Sequence, residues 1–154
     1  MKKRLVVAAA ATAAAAAFLP LMATAQFAKT EDAIKYRQSA LFIMAQHFGR
    51  IGAMANDKMP FDAAQVKESA AIVNVVSKLP WTAFGPNTDK GGNTKAKPEV
   101  WEDPKKFTSA QDRLHTSIPK LVAAAETGDK AKVKEAAGEV GAACKNCHDD
   151  FRAR

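Results

Sequence analysis

The sequence predicts an all-α protein folded as an antiparallel four-helix bundle, and three observations support this prediction. No stretch after Gln26 shows the alternation of apolar and polar residues that marks a half-buried strand. Four stretches instead repeat apolar residues every three or four positions, which is the period of an amphipathic helix. The connections inside the first pair and inside the second pair are short, and helices joined in this way pack as antiparallel neighbours.

The first predicted helix begins near Thr30 and ends near Asn56-Asp57. Glu31 and Asp32 lie in its first turn, where the helix dipole favours negative charge. The inward stripe runs in seven-residue steps through Ile34, Leu41, Phe48 and Ala55. Further positions lie between them: Gln38, Met44 or Ala45, and Ile51 or Gly52.

The second predicted helix is capped by Asp62 and stopped by Pro80, and Phe61 precedes the cap as a hydrophobic staple. Its apolar face consists of Val66, Ala70, Val73, Val76 and Leu79. A connection over residues 80–106 follows, and such a length inside a compact domain is usually functional or mobile. Its large aromatic residues, Trp81, Phe84 and Trp101, are expected to pack onto the core, and Gly91-Gly92-Asn93 is interpreted as loop.

The third predicted helix begins near Asp103-Pro104, because proline is accepted in a first turn. It closes at Thr127-Gly128-Asp129, and Pro119 inside it should remove a hydrogen bond and kink the helix. The fourth helix runs from about Asp129 to Phe151. Its apolar stripe continues without a break into two cysteines.

Those cysteines belong to the run Cys144-Lys145-Asn146-Cys147-His148, which has the spacing of a c-type haem attachment sequence. Positions i, i+3 and i+4 share one face of a helix, so both thiols and the imidazole can address one porphyrin. The prediction is haem c, one per chain, bound covalently through Cys144 and Cys147, near one end of the bundle. His148 is the predicted metal ligand.

Two other uses of such a cysteine pair fit less well. A redox pair sits at a helix N-terminus, where the dipole lowers a thiol pKa, and this pair lies in the last turns of a helix. A tetrahedral zinc site needs four ligands, which only His47, His115 and scattered carboxylates could complete.

The N-terminus predicts export. Lys2, Lys3 and Arg4 precede an apolar, alanine-rich run, and Ala23-Thr24-Ala25 follows as a cleavage site, so residues 1–25 are interpreted as a signal peptide. Cleavage leaves 154 − 25 = 129 residues and takes the net charge from +7 to +4, because three of 23 cations are lost against 16 anions. Periplasmic location is the expectation, with no membrane contact after cleavage. No basic stripe of the kind that nucleic acid requires is present.

The sequence leaves the second axial position of the iron open. No Met or His follows His148, so a second ligand must come from upstream. The candidates are Met44, Met54, Met59, His47 and His115. Alternatively, no side chain binds the iron there. Leu41 lies on the inward stripe, with Arg37 one turn earlier, and an apolar side chain that covers the iron would leave this position open but dry.

Several runs carry a resemblance over the whole stretch from Gln26 to Arg154. They are Gln26-Phe27-Ala28-Lys29, Tyr36-Arg37-Gln38-Ser39-Ala40-Leu41, Leu79-Pro80-Trp81-Thr82-Ala83-Phe84-Gly85 and Cys144-Lys145-Asn146-Cys147-His148-Asp149-Asp150-Phe151-Arg152. The chain resembles cytochrome c′, the high-spin class II c-type cytochromes of bacteria. Pro119 departs from the usual third helix of that family.

The resemblance implies a homodimer with five-coordinate haem that binds NO or CO and passes single electrons. By position, Leu41 would occlude the distal face with Trp81 and Phe84 nearby. Arg37 would meet a propionate, and Arg152 would lie by the proximal imidazole. Gln38 completes the predicted cofactor-binding set of Cys144, Cys147, His148, Arg37, Gln38, Leu41, Trp81, Phe84 and Arg152.

The remaining expectations concern partners and the runner-up function. Phe42 and Ile43 flank the inward stripe and are candidates for a dimer seam. An unidentified periplasmic protein is expected as redox partner. The alternative is a low-spin electron carrier with a Met ligand, which in relatives lies early in the first helix, where residues 30–43 contain none. Enzymatic catalysis is not expected, because a peroxidase needs distal acid–base groups.

Overall fold

The computed structural model describes residues 26–154, and the predicted signal peptide lies outside them. Four long helices form the bundle: α1 (Thr30–Ala55), α2 (Ala63–Val76), α4 (Pro104–Glu126) and α5 (Lys130–Phe151). A 3-10 turn (Pro80–Ala83) and the one-turn helix α3 (Glu99–Glu102) interrupt the long connection. No strand is assigned over residues 26–154, so the predicted all-α, four-helix architecture is confirmed.

The four long helices pack around a square, with α1 against α2 and α5, and α4 against α2 and α5. The core is continuous at the end where α1 turns into α2. Its fully buried side chains include Ile51, Met54, Val66, Val73, Leu121, Val133 and Val140. None of the helices in the described part of the chain combines the length and apolarity needed to cross a membrane.

Aspartates cap the starts of α2, α4 and α5, and the sequence predicted the first of these caps, at Asp62. The Asp62 carboxylate accepts from Ala64 N at 2.9 Å, and that of Asp103 accepts from Lys106 N at 3.0 Å. The Asp129 carboxylate does the same for Ala131 N at 2.8 Å. Each oxygen satisfies a donor that the first helical turn leaves without a partner, which specifies the helix start.

Helix α2 ends earlier than the sequence predicted. It stops at Val76, and the chain continues in tighter turns ahead of Pro80, in which Lys78 N donates to Val75 O at 3.3 Å and Leu79 N donates to Val76 O at 3.1 Å. Leu79 therefore leaves the apolar face and is 39% exposed, so its predicted place in the stripe was wrong. Helix α4, by contrast, continues through exposed Pro119 to Glu126.

Candidate functional site

The end of the bundle away from the α1–α2 turn encloses a cavity of about 600 Å³ instead of a filled core. Its walls come from α1, the long connection, the start of α4 and the end of α5. The structure brings all the predicted cofactor-binding residues to this wall: Arg37, Gln38, Leu41, Trp81, Phe84, Cys144, Cys147, His148 and Arg152. Cavities of this size are typical of small-molecule and cofactor sites.

The α5 wall presents the two thiols and the imidazole to one space. Cys144 and Cys147 are half-buried free thiols, and His148 is exposed at the cavity edge. Burial raises the pKa of Cys144, and burial with the neighbouring Cys144 and Asp150 raises the pKa of Cys147 to about 11. These are protonated thiols at neutral pH, unlike the low-pKa thiolate of a redox pair. Burial, and secondarily Arg152, lower the pKa of His148, which favours the neutral imidazole that binds metals.

The opposing α1 residues are apolar near the middle of the helix. Leu41 is half-buried and lines the cavity beside Met44 and Phe48. Among the other candidate axial ligands, His47 lies 3.4 Å from the Ser69 hydroxyl, and Met54 is in the filled core. Of the five alternatives, Met44 is the one that borders the cavity.

The two remaining candidates for the second axial ligand lie away from the cavity. Met59 lies in the α1–α2 connection and is 43% exposed. His115 Nε2 lies 3.2 Å from Ser77 O, and its ring packs against the edge of Trp81. Neither arrangement directs the side chain into the cavity.

An aromatic cluster forms the side wall. Trp81 stacks on Phe84 at 6.2 Å between ring centroids, and Phe84 meets Phe107 edge-on at 5.1 Å. The indole nitrogens are satisfied, since Trp81 donates to Ser77 O at 2.6 Å and Trp101 donates to Phe84 O at 3.0 Å. The expectation that aromatic residues of the long connection pack onto the core is confirmed.

Arg37 joins α1 to the long connection. It is 2% exposed, and its terminal nitrogens donate to Ala83 O, the Thr88 hydroxyl, Thr88 O and the Thr94 hydroxyl at 2.7–3.0 Å. Its guanidinium also lies 4.5 Å from the centroid of the Phe84 ring. Because these bonds use the four N–H groups of the two terminal nitrogens, a propionate contact would fall to Nε–H.

The connection itself supplies cavity residues that the sequence did not single out. Gln38 Nε2 donates to Asn93 O at 2.6 Å, which holds Asn93–Ala96 along the rim. Gly91 and Gly92, with φ of 81° and 63°, make the preceding turn, a conformation that side chains with a Cβ disfavour. The Gly91-Gly92 pair is the sequence feature that could have predicted this turn.

The chain's end is tied across the cavity mouth. Lys97 N donates to Phe151 O at 3.0 Å, and Ala153 N donates to Lys95 O at 2.8 Å, around an isolated antiparallel bridge between Ala96 and Arg152. These bonds hold exposed Arg152 one turn beyond His148. Arg152 also lines the cavity.

The arrangement suits a covalently held haem c better than a bare metal ion. Over residues 26–154, no group of three or more His, Cys, Asp or Glu is placed to hold a metal, so a zinc set is not assembled. One cavity instead offers two neutral thiols, one desolvated imidazole and a wide apolar wall. Those are the groups that thioether attachment and axial ligation require.

Comparison with known proteins gives a consistent result. The family described as Cytochrome C' matches residues 32–152. This chain belongs to the cytochrome c′ family. It is 55% identical over 127 residues to cytochrome c′ of Rubrivivax gelatinosus, covering 82% of this chain and 98% of that protein. It is 50% identical to cytochrome c′ of Alcaligenes xylosoxydans xylosoxydans, covering 82% and 98%.

Solved structures agree with the family assignment. The crystal structure of cytochrome c′ from Rubrivivax gelatinosus superposes with a TM-score of 0.81 at 55% identity, covering 83% of this chain and 100% of that one. A carbon monoxide complex of a leucine-to-glycine variant from Alcaligenes xylosoxidans gives 0.77 at 48% identity, covering 84% and 100%. A nitric oxide complex of a leucine-to-isoleucine variant of the same protein gives 0.77 at 48%, with the same coverage.

Proposed function

We propose that this chain is an exported haem c protein that binds NO and CO and transfers single electrons. The observation that carries the proposal is the cavity, which has thiols and an imidazole on its α5 wall and apolar Leu41 on its α1 wall. When bound there, haem c supplies an iron that exchanges one electron and accepts a diatomic gas. The relatives solved with NO and CO support the gas-binding part.

In this proposal the α5 residues hold the cofactor. Cys144 and Cys147 would form its two thioether bonds, and His148 would provide an imidazole ligand whose pKa is lowered by partial desolvation and by Arg152.

The α1 side excludes other ligands. Leu41 is expected to cover the distal side with a side chain that can neither ligate nor donate a hydrogen bond, so the sixth position stays empty. Without a donor, O₂ gains little stabilisation, whereas NO and CO depend on a donor less. A five-coordinate iron follows from Leu41 in this position.

A peroxidase-like activity has no support in the cavity wall. Over the described residues, no Asp or Glu lines the cavity, and the imidazole that does so is His148. Splitting a peroxide bond needs a distal acid–base group, and this wall does not supply one. We therefore propose a binding and electron-transfer protein, not an enzyme.

The visible spectrum tests the proposal. We expect the purified ferric and reduced protein to give broad high-spin bands that convert on adding NO. Sharp low-spin bands in the reduced state, indifferent to NO, would instead favour the Met-ligated alternative. Met44 borders the cavity, so Met44→Leu would then abolish those bands. In the five-coordinate protein the same substitution leaves the spectrum high-spin.

We also propose periplasmic location and a homodimer. Phe42 and Ile43 on α1 are 65% and 44% exposed, and Val75 on α2 is 63% exposed. A second copy of the chain would cover these apolar side chains, which a monomer leaves in water. Sedimentation of the wild type and of Phe42→Glu tests this. A dimer that the glutamate converts to monomer supports the interface, and a monomeric wild type contradicts it.

A further inference from the structure

A second cavity, of about 490 Å³, lies beside His148 and has a different character from the first. We call its lining residues the basic rim, and they are Lys95, Lys145, His148, Asp149, Arg152, Ala153 and Arg154. Four of these side chains are cationic and one is a carboxylate. That carboxylate, Asp149, is paired with Lys145 four residues away on the same helix.

The lining of the second cavity carries a net positive charge, since its four cationic side chains face one carboxylate. Within residues 26–154, no ion pair is formed by the rim residues Lys95, Arg152 and Arg154. These three charges are therefore free to meet an anionic surface.

The basic rim lies beside His148, where positive charge could attract a redox partner. His148 is exposed and lines both cavities, so its ring connects the interior space with the surface. Electron transfer between proteins is fast only over short distances, and the surface nearest an axial ligand is a short route. A polar, charged patch of limited size is also typical of weak, transient redox complexes, which have small interfaces.

We infer that the basic rim is the docking surface for an acidic one-electron redox protein. The inference rests on the proposed function, since the cofactor would be held by Cys144, Cys147 and His148. The cofactor that these three residues would hold would take one electron from the reduced centre of the partner, which would be oxidised. No bond forms and no proton moves. Charge complementarity mainly raises the association rate, and salt screens it.

The test uses the full holoprotein and a gold electrode coated with a carboxylate-terminated monolayer, which presents an acidic surface of known chemistry. The rim variant is Lys145→Gln with Arg154→Gln, both of which line only the second cavity. The control is Lys58→Gln with Lys132→Gln, exposed residues at the opposite end of the bundle, which lose the same charge. Adsorption is measured with a quartz microbalance and electron transfer by voltammetry.

At about 10 mM salt, where the Debye length is about 30 Å, we expect the rim variant to adsorb about three- to tenfold more weakly than the wild type. The electron-transfer rate of the rim variant, measured by voltammetry, should fall together with its adsorption. The control variant should adsorb about as strongly as the wild type. Near 1 M salt, the rim variant and the wild type should adsorb equally. Equal losses in the rim and control variants would overturn the docking surface. Because adsorption needs no electron transfer, it separates this outcome from a failure of the chain to retain haem, which would overturn the proposed function.

Discussion

The two sides of the large cavity are built in opposite ways. The α1 side is apolar at Leu41, and its one charged group, Arg37, is buried and bonded to neutral oxygens of the long connection. The α5 side ends in exposed His148 and Arg152 beside further cations. One side is suited to excluding ligands and water, and the other to holding a cofactor and meeting a partner. In the proposed function, these two sides would separate gas selection from electron entry.

The largest effect should follow from removing the attachment on the α5 side. In the Cys144→Ala, Cys147→Ala double variant, we expect complete loss of the haem that stays with the chain on a denaturing gel, because no thioether can form. Non-covalent haem bound through His148 would be released by the denaturant. Retention of stained haem by the double variant would contradict the attachment sites.

A smaller effect should follow from breaking the α1 side at its buried charge. Arg37→Ala leaves the acceptors at Ala83, Thr88 and Thr94 without their donor, at a cost of about 3 kcal/mol in the free energy of unfolding. Urea denaturation measures the loss, and faster tryptic cleavage after Lys90 and Lys95 would locate it in the connection. The loss in the free energy of unfolding for Arg37→Lys should lie between zero and that of Arg37→Ala, since an ammonium group has fewer hydrogen-bond donors than a guanidinium.

Arg50→Ala is the matched control for that prediction. Arg50 lies on the same helix but is exposed, so its removal takes away the same charge with a change of about 0.5 kcal/mol or less. Equal urea midpoints for the Arg37→Ala and Arg50→Ala variants would show that the bonds to the connection contribute little.

The next effect concerns access to the cavity past Leu41. If an incoming gas must push this side chain aside, the displacement costs about 1–3 kcal/mol. Leu41→Ala should then speed CO association about tenfold or more, measured by flash photolysis of the reduced protein. Ile43→Ala deletes comparable atoms from an exposed residue of the same helix that does not line the cavity, so the rate of CO association should stay the same. CO kinetics that are unchanged in the Leu41 variant would remove this residue from the distal side.

The smallest effect is expected on the α5 side. Arg152→Ala should change the rate at which NO replaces His148 on the iron about two- to fivefold. The reason is that the charge of Arg152 acts on the His148 ring, where it contributes to the lowered pKa. CO association from the α1 side should stay the same. Arg154→Ala, which removes a nearby charge that borders only the second cavity, is the control. Identical NO spectra and rates for the wild type and Arg152→Ala would exclude a proximal role.

Some parts of the site could be predicted because they are local in the chain. Cys144, Cys147 and His148 share a face through helical spacing alone, and Asp62, Asp103 and Asp129 cap helices by bonds to residues two or three positions on. The family resemblance then supplied Leu41, Arg37 and Arg152 by position. The structure adds that these residues line one cavity, whereas their chemical roles stay predictions.

Other parts could not be read from local pattern. Helix α3 is one turn long and has too few residues to show a period. Leu79 fits the α2 stripe by spacing, yet the helix gives way to tighter turns before it, in which Leu79 N donates to Val76 O. Asn93–Ala96 line the large cavity because Gln38 of α1 donates a hydrogen bond to Asn93 O, and no property of the connection itself reveals that bond.

By itself the sequence determined the four long helices, most of their ends and the thiol–thiol–imidazole face, because each depends on neighbours within about one helical turn. The tertiary structure alone decided which side chains from distant segments line the cavity at one end of the bundle. It also decided that Arg37 closes that end with oxygens 46–57 residues away, and that unpaired cations gather beside His148. Those features arise from packing between distant segments, and a periodic pattern in one segment carries no information about them.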